Sequence, residues 1–255
     1  MTLSKLILTA ICATAMTVPA AANPVVGNPV RNIVLVHGAF ADGSGWKPVA
    51  DLLRADGYTV SIVQQPMTSV VDDVAATKRT LDMQSGPTVL VGHSYGGAVI
   101  TEAGHHPNVA SLVFVAAFAP DDGEVLGAVS GATPPAAHSI SPTKDGYLLV
   151  DAAQFPADFA ADLPLPMAEF MAISQMPING KIWGTPIGAP AWRGKPSFAI
   201  VATEDRMINP ELQRTMYQRA GSKVTEIDAS HSVFLSQPQA VADVIRAAAA
   251  SPKSE

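Results

Sequence analysis

Apolar residues along this chain fall into two alternating kinds of stretch. Residues 32–36, 58–63, 87–91, 110–117, 197–202 and 224–227 are short, nearly unbroken apolar runs rich in β-branched side chains, and they read as strands. Residues 46–55, 68–83, 98–103, 210–220 and 239–249 carry helical spacing instead. In the 68–83 helix the spacing turns Val70, Val71, Val74, Ala75 and Leu81 inward, and Asp72, Asp73, Lys78, Arg79 and Asp82 toward water. Strands buried on both faces and separated by helices predict an α/β fold, a mostly parallel sheet with helices on both sides. The rhythm breaks between 120 and 196, where proline, glycine and alanine dominate and only short helical patches such as 167–175 stand out. A stretch this long within a compact domain is usually functional, and it is expected to form a cap over the carboxyl edge of the sheet.

The N-terminus changes the picture of where the protein works. Lys5 precedes an uncharged apolar run over 6–18, followed by Ala20-Ala21-Ala22 with small residues at the positions a signal peptidase needs. A secretory signal over 1–22, cleaved after about Ala22, leaves 23–255 as one domain in the bacterial periplasm or medium. The apolar run is too short to span a bilayer comfortably, so no stable membrane anchor is expected. Cys12 is the only cysteine, so the mature chain has no disulfide, no thiolate chemistry and no cysteine-bound zinc. The net charge of −6 is spread without runs or a basic patch, which excludes nucleic acid as an expected partner. The oligomeric state, monomer or dimer, is not set by the sequence.

Candidate chemistry centres on Gly92-His93-Ser94-Tyr95-Gly96-Gly97, between the 87–91 strand and the 98–103 helix. Strand, G-x-S-x-G, helix is the context in which a serine is lifted on a sharp turn at the carboxyl edge of a sheet. The glycines leave room for chains to pass, and the helix N-terminus favours a developing negative charge. A serine hydroxyl needs a general base, itself oriented by a carboxylate. Of the six histidines, His231, which follows the last strand at that edge, is the expected base. His93 should point away from the hydroxyl, His37 ties loops together, and His105 and His106 end a helix. His138 lies in the cap. For the acid, Asp205 follows the 197–202 strand and gives the order Ser, Asp, His; Asp121 and Asp122, after the preceding strand, are its rivals. Two backbone N–H groups should hold the oxyanion, that of Tyr95 and that of Ala39 in the turn after the first strand. Phe40, His138 and Trp183 are the expected pocket residues. The set needs neither metal nor cofactor.

These residues together resemble the α/β-hydrolase superfamily. His37-Gly38-Ala39-Phe40, Gly45-Trp46, the Gly92–Gly97 hexapeptide and the stretch from Asp205 to Pro210 look like the branch of plant methylesterases, hydroxynitrile lyases and bacterial carboxylesterases including pyrethroid hydrolases. Hydroxynitrile lyases of that branch carry a lysine directly after the catalytic histidine. Here Ser232 stands there, which favours hydrolysis. The resemblance implies a serine hydrolase acting on a small-molecule carboxylic ester, with lactone, thioester or cofactor-free haloperoxidase chemistry as variants on the same three residues. A ligand-binding protein on this scaffold is the alternative from another class. The intact serine, histidine and aspartate speak against it.

Overall fold

The computed structural model describes residues 30–251, so the leader read from the sequence lies outside the described residues. The first half of the chain is built as predicted: β1 (Asn32–Val36), α1 (Lys47–Ala55), β2 (Thr59–Val63), α2 (Val70–Asp82), β3 (Thr88–His93), α3 (Gly96–Ala103) and β4 (Val109–Val115). An insertion follows with α4 (Leu126–Ala132), β5 (Ile140–Pro142), β6 (Tyr147–Val150), α5 (Phe155–Phe159), α6 (Leu165–Ser174) and β7 (Ile178–Asn179). The main rhythm resumes with β8 (Ser197–Ala202), α7 (Pro210–Arg219), β9 (Lys223–Ile227), α8 (Val233–Ser236) and α9 (Pro238–Ala250).

Six strands form one sheet in the order β2-β1-β3-β4-β8-β9, and every pairing in it is parallel. Because successive strand residues point to opposite faces, the apolar runs feed two cores at once. Ile33, Leu35, Val89, Val91, Val113 and Val115 pack toward α1, α8 and α9, where Trp46, Leu53, Phe234 and Ile245 meet them. Val34, Val36, Leu90, Leu112 and Phe114 pack on the other face, against α2, α3 and α7. Phe155, Phe159, Ile178 and Ile182 of the insertion join that second core. Each such side chain contributes about 1.5–3 kcal/mol through loss of water contact, so the insertion is held to the body by its apolar residues.

Two local expectations are corrected. On α2, Val71 and Ala75 face water while Asp73 is fully buried. The buried residues are Val70, Asp73, Val74, Ala76, Thr77 and Leu81. Asp73 is drawn inside by hydrogen bonds from the Met67 N–H (2.9 Å) and the Tyr95 hydroxyl (2.7 Å), partners that helical spacing cannot reveal. The insertion, in turn, is more than short helical patches: β5, β6 and β7 make a three-stranded antiparallel sheet.

Candidate active site

The turn between β3 and α3 carries Ser94 at φ +53°, in the left-handed region that a residue with a Cβ normally avoids. Neighbouring backbone holds it there. The Ser94 N–H donates to the Val115 carbonyl (3.2 Å), and the Ser94 carbonyl accepts from Gly97 (3.0 Å) and Phe118 (3.1 Å). The glycines around it are dictated by contact. A Cβ on Gly92 would stand 2.5 Å from the Gly96 carbonyl oxygen, one on Gly96 would stand 2.6 Å from that of His37, and one on Gly97 would stand 2.1 Å from that of Phe118. Gly97→Ala is therefore expected to displace backbone and to cost at least about 2 kcal/mol, the scale of an overpacked core. Urea unfolding checks it, and a loss under about 0.5 kcal/mol, the level of a surface change, would show that the strand–helix crossing is looser than these contacts imply.

Asp205 and His231 meet beside this turn. His231 Nδ1 donates to Asp205 Oδ2 at 2.7 Å, and both side chains are almost wholly buried. A buried carboxylate must be surrounded by donors. Asp205 Oδ1 accepts from the N–H groups of Met207 (2.8 Å) and Ile208 (2.9 Å), and Oδ2 also accepts from Gln213 Nε2 (2.8 Å). The rivals lie elsewhere: Asp121 pairs with Arg193 (2.5 Å), and Asp122 is exposed.

His93 couples the two halves. Its side chain turns from Ser94 toward the histidine loop, where Nε2 donates to the His231 carbonyl (2.9 Å) and the two rings lie 4.6 Å apart. Its Nδ1 is buried without a partner among the described residues. Burial, with His231 beside it, holds the His93 ring well below the usual imidazole range, so it stays neutral. Phe159 of the insertion rests edge-on against His231, 4.8 Å between ring centroids. Asp162, also of the insertion, accepts from the Ser230 N–H (3.0 Å) and from the Ser230 hydroxyl.

Opposite the turn, the loop after β1 comes close: a Cβ on Gly38 would stand 2.6 Å from that of Ser94. His37 ties this loop down, as read from the sequence. Its Nε2 accepts from the Gln65 N–H (3.2 Å), its Nδ1 donates to the Gly38 carbonyl (2.9 Å), and its own carbonyl accepts from Gln65 Nε2 (2.6 Å). Phe40, at φ +62°, bends the chain sharply just after Ala39. Ser94 Oγ and the N–H groups of Ala39 and Tyr95 make no hydrogen bond among the described residues.

The sequence profile of the alpha/beta hydrolase family matches residues 33–244, which takes in every element of this site. The chain belongs to the alpha/beta hydrolase family. A pyrethroid hydrolase of Sphingobium wenxiniae is 30% identical over 249 residues, covering 85% of this chain and 86% of that one. The crystal structure of a pyrethroid hydrolase from Sphingobium faniae superposes with a TM-score of 0.76 at 27% identity, covering 88% of this chain and 98% of that one. Polyneuridine aldehyde esterase shares the fold, with a TM-score of 0.73 at 19% identity over 85% of this chain and 98% of that one.

In this family member a cavity of about 230 Å³ opens between α6 and the body. Phe40, Gly45, Met167, Phe170, Met171 and Phe234 line it, with Lys47 and Asp42 at its margin. Ser94, Asp205 and His231 are not among its lining residues. Two of its walls connect to the site: Phe40 is next to Ala39, and the ring of Phe234 lies 4.4 Å from that of His93. Of the three expected pocket residues only Phe40 is found there. His138 is exposed, because the extended chain turns its neighbour Ala137 inward instead. Trp183 packs over Tyr95 (6.1 Å) and Phe118 (6.4 Å) and lines no part of this cavity. Gln213, Asp162 and Asp73 were not foreseen as site residues. Each is a polar side chain whose partner lies on another element, and the local pattern holds no sign of it.

Proposed function

We propose that the chain is a carboxylic ester hydrolase working without a cofactor through an acyl-enzyme on Ser94. The observation that carries this reading is the buried 2.7 Å hydrogen bond from His231 Nδ1 to Asp205, clamped through His93 to a serine at φ +53°. With Nδ1 protonated and facing the carboxylate, Nε2 is the free base. Ser94 Oγ attacks the ester carbonyl carbon as its proton passes to His231 Nε2. The N–H groups of Ala39 and Tyr95 hold the oxyanion. Collapse expels the alcohol with that proton, and water, activated by the same histidine, releases the acid. A serine–histidine contact commonly tightens only with substrate in place, so the unbonded Ser94 Oγ fits this role. The likeness to a pyrethroid hydrolase supports an ester as substrate. We also read the leader as an export signal, with the protein acting in the periplasm or medium.

The substrates this reading favours are small to medium uncharged esters with apolar acyl or aryl groups. The cavity beside Phe40 is walled by aromatic rings and methionines, which adapt to several apolar shapes. Lys47, the cation that lines this cavity, is already paired with Asp51. The ratio of kcat/KM for a neutral aryl ester to that for a matched carboxylate-bearing ester is expected to be about 100, the scale of one unpaired charge in an apolar site. A preference for the charged ester, abolished by Lys47→Met, Lys181→Met or Arg193→Met, would overturn this view of the pocket.

A further inference from the structure

Asp73 is the one fully buried carboxylate of α2, and its side chain hydrogen-bonds to Met67 and Tyr95 rather than to Ser94, His231 or Asp205. Burying a carboxylate is costly, and packing alone would be served as well by an apolar residue. Its two oxygens are divided between two places that matter for ester hydrolysis. Oδ2 accepts from the hydroxyl of Tyr95, whose backbone N–H is assigned above to the oxyanion. Oδ1 accepts from the N–H of Met67, a residue held at φ +58°. The Met67 carbonyl in turn accepts from the N–H of Asn179, in β7 of the insertion (2.9 Å). The Tyr95 ring, fully buried, also meets Trp183 of the insertion at 6.1 Å.

We infer that Asp73 is a positioning residue for the hydrolysis proposed above. By gripping the far end of the Tyr95 side chain it fixes the tilt of the peptide that presents the oxyanion donor, and through Met67 it seats the insertion against the same turn. The inference rests on the assignment of Ser94 and Tyr95. An oxyanion donor acts only when it is held in place before charge develops, and a misplacement of about 1 Å can cost a hundredfold in rate. A tyrosine directly after the nucleophile can be anchored at its tip, which an aliphatic residue cannot.

The test is a double-mutant cycle of Tyr95→Phe and Asp73→Ala, with Asp73→Asn as the conservative variant. Active sites are counted by fluorophosphonate titration, and kcat and KM for a neutral aryl ester are measured per titrated site. Affinity for a trifluoromethyl ketone, which forms a stable oxyanion, is measured alongside. Each single change is expected to lower kcat and ketone affinity together by roughly ten- to a hundredfold, with KM within about twofold. Asp73→Ala should add less than about twofold in the Tyr95→Phe background, the mark of residues acting as one unit. Asp73→Asn should retain most activity, because the tyrosine hydroxyl can turn to accept from the amide. Tyr95→Phe removes a single oxygen, so it carries the test if Asp73→Ala does not fold. A wild type that is active and labelled at Ser94, with variants that lose melting temperature but keep kcat and ketone affinity per site, would overturn the inference alone. Independent, multiplicative losses in the cycle would overturn it too. A wild type that neither hydrolyses esters nor labels at Ser94 would overturn the site assignment beneath it.

Discussion

Ser94→Ala is expected to give a folded protein whose ester hydrolysis falls by about 10⁶ in kcat, close to 8 kcal/mol of transition-state stabilisation. Folding should be preserved because alanine at φ +53° carries the same steric cost as serine, and Ser94 Oγ contributes no hydrogen bond among the described residues. Some acceleration over water should remain, about 10³-fold, from substrate binding and the oxyanion N–H groups that the change leaves intact. The melting temperature checks the first part of this expectation and single-turnover kinetics the second. Ser94→Gly should lose as much activity yet be more stable than the alanine variant by about 1 kcal/mol, because glycine relieves the backbone strain. A Ser94→Ala protein that retains a tenth or more of its activity would remove the nucleophile from the mechanism.

Asp205→Asn is expected to lower kcat by about 10⁴, or roughly 5 kcal/mol, while the protein stays folded. The reason lies in the four donors around the carboxylate. Met207 and Ile208 present backbone N–H groups to Oδ1 and cannot turn away, so an asparagine must offer its carbonyl oxygen to them. Its amide NH₂ then faces His231 and Gln213. Gln213 cannot readily flip to receive it, because Oε1 already accepts from the Ala202 N–H (3.2 Å) and Nε2 donates to the Ile208 carbonyl (2.9 Å). His231 is driven to the tautomer with Nδ1 bare and Nε2 protonated, which has no lone pair left for the Ser94 proton. Asp121→Asn and Asp122→Asn, at a salt-bridged and an exposed carboxylate, should change kcat less than about threefold, as surface changes do. Steady-state rates of the three variants decide the matter; a larger loss at Asp122 than at Asp205 would transfer the acid to the earlier strand.

The parts of this fold that the sequence made legible are those where one physical demand dominates. The β1 and β8 runs are apolar on both faces because helices cover both, so their ends could be read to the residue. The elbow glycines were legible because backbone passes within contact distance of each missing Cβ. That His231 and Asp205 would meet could be read from where they fall after strands, since parallel topology brings all carboxyl ends to one edge. What stayed hidden depends on partners far away in the chain. Asp73 reads as a solvated charge until Tyr95, 22 residues on, supplies a donor. Gln213 carries no local mark of its role in α7, where its side chain donates to Asp205. The sheet of β5, β6 and β7 was missed because its first strand is exposed at all three positions and contains Pro142, leaving no alternation to read. Trp183 was expected in the pocket, but it packs on Tyr95 and Phe118 instead, because aromatic character alone does not say which wall a side chain faces.

Covalent capture decides whether Ser94 is the nucleophile of a serine hydrolase. The intact protein is treated with a fluorophosphonate, digested, and the modified residue located by peptide mass spectrometry while residual esterase activity is followed. One phosphonyl group per chain on Ser94, with activity lost in step with labelling and both abolished by Ser94→Ala, is the predicted result. Stoichiometric labelling of another serine, or full inhibition with Ser94 unmodified, would contradict it.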